Sequence, residues 1–265
     1  MLILKKSLGQ NFLTDNNILG KIVNLETLIN ERIFEIGPGS GNLTTFISNK
    51  KPKSVFLIEK DKRFYEILKE KYGSIKSYKI LNADILEYNL NDHKYREVIV
   101  FGNLPYNIST QILAKFIKVN LWPPFYKKII FMFQNEVADR ILAKPNTNNF
   151  GRITVLANLK LDIVDYFKVS KECFFPVPKI DSKIVVFKPK EKVNFKISKV
   201  ENLEKITQAF FSNRRKMINK TFAKLFNNHL EIAKKLNINL ASRPSELTCE
   251  IYYKIAELYE KSRKN

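Results

Sequence analysis

Five short apolar runs between residues 30 and 135 constrain the fold more than any other feature of the sequence. Each run is rich in β-branched or aromatic residues, and amphipathic segments separate consecutive runs. The runs are Ile33–Ile36, Val55–Ile58, Tyr78–Leu81, Val98–Phe101 and Ile129–Phe133. Alternation of strands and helices predicts an α/β fold with a mostly parallel sheet covered on both faces. A ligand of such a sheet binds beyond the carboxyl ends of the strands.

The pattern changes near residue 190. Two further strands are predicted at Val164–Val169 and Ile184–Phe187, as an antiparallel hairpin at the edge of the sheet. From Val200 onward the sequence shows helical patterns and no convincing strand. The predicted helices are Leu203–Phe211, Lys216–Phe226, Leu230–Leu236 and Glu246–Glu260. We therefore predict two domains, 1–190 and 191–265.

The charge of the chain points to a polyanionic partner. The 265 residues carry a formal net charge of +20, with a pI of about 9.7. Lys and Arg on phosphates release condensed counterions, which favours binding to nucleic acid. The alternative is a compositional bias, because 37 of the 46 basic residues are Lys.

Several classes of site and location are disfavoured by the composition. Cys173 and Cys249 are far apart and form no metal-ligand spacing, and there are only two His residues, so no metal site is expected. The apolar stretch at the N-terminus is too short for a signal peptide, and no window is long enough for a membrane span. We expect a cytoplasmic protein without a membrane partner.

A glycine-rich turn follows the first strand of the sheet. Gly37, Gly39 and Gly41 let the backbone turn sharply and approach a ligand, and an acid about 20 residues later can bind ribose hydroxyls; Glu59 has this spacing. The dinucleotide fingerprint fails, since Asn42 or Thr44 replaces the third glycine, so a nucleoside-type ligand is favoured.

Three acids lie near this turn, and each also has a purely structural interpretation. Asp84 follows the third strand and is placed to accept a hydrogen bond from an adenine amine, or to cap a helix. Glu59 is otherwise a simple acid at a strand end, and Glu35 is otherwise an acid satisfied by backbone amides.

The fourth strand ends in a motif suited to chemistry on an amine. The exocyclic nitrogen of adenine is a poor nucleophile because its lone pair is delocalised into the ring. The side-chain oxygen of Asn103 and the carbonyl of Leu104 are placed to accept hydrogen bonds from it. Pro105 fixes the backbone, and Tyr106 offers a stacking face for a base. This chemistry requires no metal, His or Cys. The alternative is an ordinary loop turn.

These motifs resemble the KsgA (RsmA) family of ribosomal RNA adenine dimethyltransferases. The resemblance covers nearly the whole chain in the expected order. It rests on Gln10–Leu13, Glu35–Gly39, Asn103–Ser109, Phe174–Ser182 and Asn213–Lys216. It implies a class I, Rossmann-like methyltransferase fold that binds S-adenosylmethionine, with a small all-helical C-terminal domain that binds RNA. The implied reaction dimethylates the N6 amines of two adjacent adenosines in the 3′-terminal hairpin of 16S rRNA.

The resemblance also implies roles for single residues. Contacts with S-adenosylmethionine are expected from Asn11, Leu13, Gly37, Gly39, Glu59, Asp84 and Asn103. Asn103 and Tyr106 would handle the target amine and base, and Phe174 would stack on the opposite face of the base. The bulky Phe175 leaves open which of the two phenylalanines stacks. Related DNA methyltransferases often have Pro at the position of Leu104, so the motif favours RNA over DNA.

A cluster of basic residues in the C-terminal region completes the predicted site. Arg214, Arg215, Lys216 and Lys220 are expected at the start of a helix, either on phosphates or on a solvated helix face. The leading hypothesis is a monomeric enzyme of small-subunit biogenesis that acts on the small subunit or its precursor. The alternatives are a large-subunit adenine dimethyltransferase of the antibiotic-resistance type and an assembly or transcription factor without catalysis.

Overall fold

The computed structural model describes residues 11–263, which form two compact units. The first unit extends to Ala138 and includes 162–189. The second comprises 139–161 and the chain from Lys190 onward. The second unit is therefore built from two stretches of the chain, whereas the predicted domain boundary at residue 190 gives it only one.

A seven-stranded sheet forms the centre of the first unit. Its strand order is β4-β3-β2-β5-β6-β9-β7, and a separate two-stranded sheet pairs β1 with β8. The strands are β1 (Phe12–Leu13), β2 (Arg32–Ile36), β3 (Ser54–Glu59), β4 (Tyr78–Asn82), β5 (Val98–Asn103), β6 (Tyr126–Gln134), β7 (Leu161–Val169), β8 (Phe174–Phe175) and β9 (Ser182–Pro189). The five strands from β4 to β6 are mutually parallel, and β9 runs antiparallel to β6.

Helices cover this sheet because each presents an apolar stripe at helical spacing. In α3, Phe64, Leu68 and Tyr72 are buried, and Asp61 caps the helix by accepting a hydrogen bond from Arg63 N. The helices up to residue 141 are α1 (Asn16–Val23), α2 (Asn42–Asn49), α3 (Lys62–Tyr72), α4 (Ser109–Ile117) and α5 (Asn135–Ile141).

The predicted central strands are confirmed, and most continue for one to three residues beyond the apolar runs. Apart from Tyr126 at the start of β6, the extra residues are polar or glycine, such as Glu59 at the end of β3 and Asn103 at the end of β5. Backbone pairing in a parallel ladder does not depend on side-chain polarity, so the pairing continues where the apolar run stops. The last residues of these strands are therefore polar groups at the edge of the sheet.

Helices form the second unit, and aromatic side chains fill its core. Phe210, Phe222 and Tyr252 are buried, and the hydroxyl of Tyr253 donates to the carbonyl of Val155 at 2.8 Å. Its helices are α6 (Arg152–Lys160), α7 (Val200–Phe211), α8 (Asn219–Leu225), α9 (His229–Lys235) and α10 (Cys249–Ser262). Across residues 11–263, no helix has the length and apolar character that crossing a membrane requires.

Candidate active site

A cavity lies in the first unit, at the edge where the parallel strands β2 to β5 end. The N-terminal residues 11–13 form one of its sides. Ten predicted site residues line it: Asn11, Leu13, Gly37, Gly39, Glu59, Asp84, Asn103, Leu104, Pro105 and Tyr106. Positions distant in sequence meet here because the carboxyl ends of parallel strands share one edge of the sheet.

The glycine turn uses two of its glycines in different ways. Gly37 and Gly39 have φ of 62° and 56°, in the left-handed region that side chains with a Cβ rarely adopt. A Cβ on Gly37 would meet nothing within 4 Å. A Cβ on Gly39 would lie 2.5 Å from a ring carbon of Phe12. Gly37 thus leaves open space on the cavity wall, while Gly39 makes room for the N-terminal strand.

Glu59 is locked to this turn. One carboxylate oxygen accepts a hydrogen bond from the backbone N–H of Gly39 at 2.9 Å, and the other accepts from Asp61 N at 2.8 Å. The side chain is buried, and burial raises its pKa, although the two backbone hydrogen bonds lower it. Each oxygen retains a lone pair, so Glu59 has capacity to accept from a ligand as well.

Glu35 is a second buried acid on the cavity wall. Its carboxyl accepts a hydrogen bond from the Thr44 hydroxyl at 2.7 Å, and its exposure is 2%. Burial raises the pKa of Glu35 to about 8, helped by the nearby charge of Glu59 and opposed by the Thr44 hydrogen bond. Its partner is therefore a side-chain hydroxyl, not the backbone amides that the sequence suggested.

Asp84 has no helix to cap, because residues 85–87 form a turn. It lines the cavity, and one oxygen accepts from Leu86 N at 2.8 Å, which stabilises the turn after β4. The other oxygen pairs with Lys60 Nζ at 2.7 Å. Burial raises the pKa of Asp84, but the hydrogen bond and charge of Lys60 outweigh it and leave the pKa lowered. Asp84 is an ionised acceptor on this wall.

The motif at the end of β5 lies beside the glycine turn, because Ile36 of β2 pairs with Gly102 of β5. The side-chain nitrogen of Asn103 donates to the backbone carbonyl of Asn11 at 3.2 Å, which leaves its Oδ1 atom as the acceptor. The hydroxyl of Tyr106 is 2.8 Å from Ser182 Oγ, at the start of β9. The Leu104 side chain is buried, and its Cδ2 atom lies so close to Gly102 that a Cβ there would clash at 2.5 Å.

The two phenylalanines of β8 have opposite environments. Phe174 is 2% exposed, belongs to the core cluster that includes Leu13, and is not among the residues that line the cavity. Phe175 is 59% exposed and pairs with Phe12, whose side chain lies on the cavity wall. Opposite residues of an antiparallel pair project to the same face. Phe175 does not line the cavity either, so the structure shows its ring as the exposed one of the pair and no more.

The N-terminal strand is the part of the site that residue-level reasoning missed. Only the resemblance indicated it, because residues 11–13 by themselves look like the approach to a helix; Gln10 lies outside the described residues. Asn42 anchors this strand, since its side-chain nitrogen donates to the carbonyl of Leu13 at 2.9 Å. A contact between segments so far apart leaves no trace in a local sequence pattern.

The predicted phosphate-binding residues belong to the second unit. The Arg214 guanidinium donates to the carbonyls of Asn148 and Phe150, so it holds a loop of its own unit. Arg215, Lys216 and Lys220 are exposed. The expected helix start at Lys216 is wrong: residues 213–216 form a turn, and α8 begins at Asn219.

The described part of the chain was searched for groups of side chains that could hold a metal ion. Among residues 11–263, no three His, Cys, Asp or Glu side chains come together as ligands. The titratable groups that do face the cavity are carboxylates, a lysine and a tyrosine.

The chain is similar to proteins of one family over almost its full length. A family model described as ribosomal RNA adenine dimethylase matches residues 1–261. Ribosomal RNA small subunit methyltransferase A of Pelagibacter ubique (strain HTCC1062) is 46% identical over 260 residues, covering 98% of each chain. Its counterpart in Mycoplasmopsis synoviae (strain 53) is 39% identical, covering 92% of each. A dimethyladenosine transferase from Plasmodium falciparum aligns with a TM-score of 0.80 at 24% identity, covering 95% of this chain and 98% of the other. The last similarity shows the class I methyltransferase fold that the resemblance implied.

Proposed function

Because the chain belongs to the ribosomal RNA adenine dimethylase family, we infer that it dimethylates the N6 amines of two adjacent adenosines in the 3′-terminal hairpin of 16S rRNA. The observation that carries this function is that Gly37, Glu59, Asn103 and Tyr106 line one cavity. A nucleoside cradle and an amine-binding motif on one cavity suit methyl transfer between two nucleosides. The 46% identity to a small-subunit enzyme favours 16S rRNA over 23S rRNA.

We propose S-adenosylmethionine as the methyl donor and S-adenosylhomocysteine as the product. The open space above Gly37 fits a ligand against the backbone, while Glu59 and Asp84 supply acceptors for ribose hydroxyls and an adenine amine. Asn11 and Leu13 would cover it from the N-terminal side. When bound, this donor supplies a methyl group on a positively charged sulfonium, which is a good leaving group. The chain therefore needs to orient the nucleophile and does not need to activate it strongly.

Asn103 and Leu104 would orient the target amine. Two acceptors, Asn103 Oδ1 and the Leu104 carbonyl, would each accept a hydrogen bond from an N6–H group. These bonds would favour a pyramidal nitrogen whose lone pair is free to attack the methyl carbon. Pro105 limits the backbone freedom of this acceptor pair. The surplus proton on the methylated nitrogen passes to solvent, so no side chain is required to act as a general base.

Aromatic rings would hold the base once it leaves its stack. Tyr106 supplies one face and is fixed by the Ser182 hydroxyl. The opposite face comes from the Phe174–Phe175 pair, for which Phe174 has the family motif and Phe175 has the exposed ring. Base stacking on an aromatic side chain contributes about 1–3 kcal/mol.

The remaining proposals concern RNA binding, the oligomeric state and the cellular location. The region 1–190 would carry catalysis, and the helical region 191–265 would bind RNA phosphates through Arg215, Lys216 and Lys220. Arg214 would contribute less, since its guanidinium is engaged within the second unit. We propose that the enzyme acts as a monomer, in the cytoplasm, on the small ribosomal subunit or its precursor.

The test is methyl incorporation from labelled donor into two substrates. Undermethylated small subunits and large-subunit RNA are incubated separately with the protein, and dimethyladenosine is mapped. Label in two adjacent adenosines of the 16S terminal hairpin is expected. Label in large-subunit RNA would show a large-subunit enzyme instead, and tight binding without label would show an assembly factor.

A further inference from the structure

The N-terminal segment 11–15 is held at three places by hydrogen bonds, and two of the three come from side chains that line the cavity. Asn42 Nδ2 donates to the carbonyl of Leu13 at 2.9 Å, and Asn103 Nδ2 donates to the carbonyl of Asn11 at 3.2 Å. At the third place the carbonyl of Cys173 accepts from the backbone N–H groups of Thr14 at 2.9 Å and Asp15 at 3.3 Å. The strand therefore connects the glycine turn with the amine-binding motif.

Asn42 occupies a position that the predicted function does not explain. It is the first residue of α2 and stands where a dinucleotide fingerprint would have its third glycine. Its Oδ1 atom accepts from the Ser40 hydroxyl at 3.0 Å, so the amide is oriented with Nδ2 toward Leu13. This amide is thus fixed at both ends, and it faces the cavity rather than the helix interior.

The orientation of the Asn103 amide depends on the strand that Asn42 holds. An asparagine amide can present either its oxygen or its nitrogen to a ligand, and the partner of the other atom decides which. Here the Asn11 carbonyl takes the nitrogen, two residues from the Leu13 carbonyl that Asn42 binds. If the strand shifts, Asn103 loses its partner and the amide is free to turn its nitrogen toward the target amine.

We propose that Asn42 is a positioning residue for methyl transfer: it anchors the Leu13 carbonyl so that Asn11 holds the Asn103 amide with its oxygen toward the substrate. This inference rests on the proposed function. It assigns Asn42 an effect on turnover that acts through the N-terminal strand, without contact with the reacting atoms. A misplacement of about 1 Å in such a group lowers a rate about 100-fold.

The test compares two isosteric or near-isosteric changes. Asn42→Asp keeps an acceptor for Ser40 but cannot donate to Leu13, and Asn49→Asp makes the same change at the exposed last residue of α2. We expect N42D to lower kcat about 10- to 100-fold at saturating donor, with KM for undermethylated small subunits within about 2-fold of the wild type. N49D should stay within about 3-fold in kcat. Asn42→Ser, which also lacks the amide donor, replaces N42D if that variant does not fold.

Hydrogen exchange supplies a readout that is independent of activity. The amides of Thr14 and Asp15 should exchange at least about 10-fold faster in N42D than in the wild type, because the strand is less firmly seated. Wild-type kcat in N42D, recovery of full kcat simply by adding more donor, or unchanged exchange of these amides would each overturn the inference. An inactive wild type would instead contradict the proposed function, and the exchange experiment would still decide the role of Asn42.

Discussion

The two walls of the cavity are held together in different ways. On the glycine-turn wall, Gly39 in the turn after β2 and Glu59 at the end of β3 are buried and hydrogen-bonded to each other across 20 positions of the chain. On the amine wall, Asn103 and Tyr106 are partly exposed, and their partners lie 92 and 76 positions away. The first wall is produced by one βαβ unit, whereas the second requires segments from both ends of the first unit.

This difference predicts how each wall responds to change. A wall built from buried backbone contacts resists small displacements, and its failures appear as loss of cofactor binding or of stability. Substitutions in a wall built from side chains on separate segments should leave the protein folded, and they should lower turnover. The four predictions below test that separation, from the largest expected effect to the smallest.

The amine wall should show its largest effect at Asn103. Asn103→Ala removes the proposed acceptor for the target amine, and we expect kcat to fall about 1,000-fold or more, since the loss would fall on the transition state. Small-subunit binding and Tm should stay near wild type, as filter binding and thermal unfolding would measure. Equal losses of turnover and of RNA binding would remove the distinction between the walls.

The two phenylalanines of β8 should separate stability from substrate binding. Phe174→Ala leaves a cavity in the core, and we expect it to cost about 3–5 kcal/mol in the free energy of unfolding. Phe175→Ala should leave that free energy within about 0.5 kcal/mol and, if Phe175 is the proposed stacking face, raise KM for the small subunit. Denaturant unfolding and steady-state kinetics measure the two effects. A normal unfolding curve with lost turnover in F174A would show instead that this ring leaves the core to stack on the base.

Gly39 tests whether the glycine-turn wall depends on the N-terminal strand. Gly39→Ala forces a Cβ onto a residue with φ of 56° and against the Phe12 ring, so we expect about 10-fold weaker binding of S-adenosylmethionine. Gly151→Ala is the matched control, because Gly151 has extended backbone and its Cβ would meet its nearest atom at 3.8 Å. Calorimetric titration gives both affinities; equal behaviour of the two variants would argue against the strand contact.

The smallest expected effect concerns Glu35 and pH. Its folded-state pKa is about 8, against an ordinary value of 4.5, so folding favours the protonated carboxyl. The stability from this group is fully present below about pH 4.5 and is lost as the pH rises through about 8. Glu35→Gln keeps an acceptor for Thr44 without the charge. We expect its Tm to match the wild type near pH 4.5 and to exceed it by a few degrees near pH 8.5. A Tm difference independent of pH would show that Glu35 is not neutral in the native state.

Much of the fold was predictable because its determinants are local. Apolar runs with the right spacing predicted the central strands, and the glycine turn with Glu59 predicted a nucleoside site. The boundaries of the second unit were harder, since 139–161 packs with helices more than 40 residues later. The predicted roles of Asn11, Leu13 and Phe174 came from family resemblance, and they stay predictions.

The sequence by itself determined the sheet, the turn and the acceptor motif, because each follows from periodicity or from residues adjacent in the chain. Only the tertiary structure decided that the N-terminal strand orients Asn103, that Phe174 faces the core and Phe175 the solvent, and that Arg214 is engaged within its own unit. These outcomes depend on contacts between residues more than 60 positions apart, or on which face of a two-residue strand packs inward. Packing of the whole unit selects among such arrangements, and no local pattern encodes that choice.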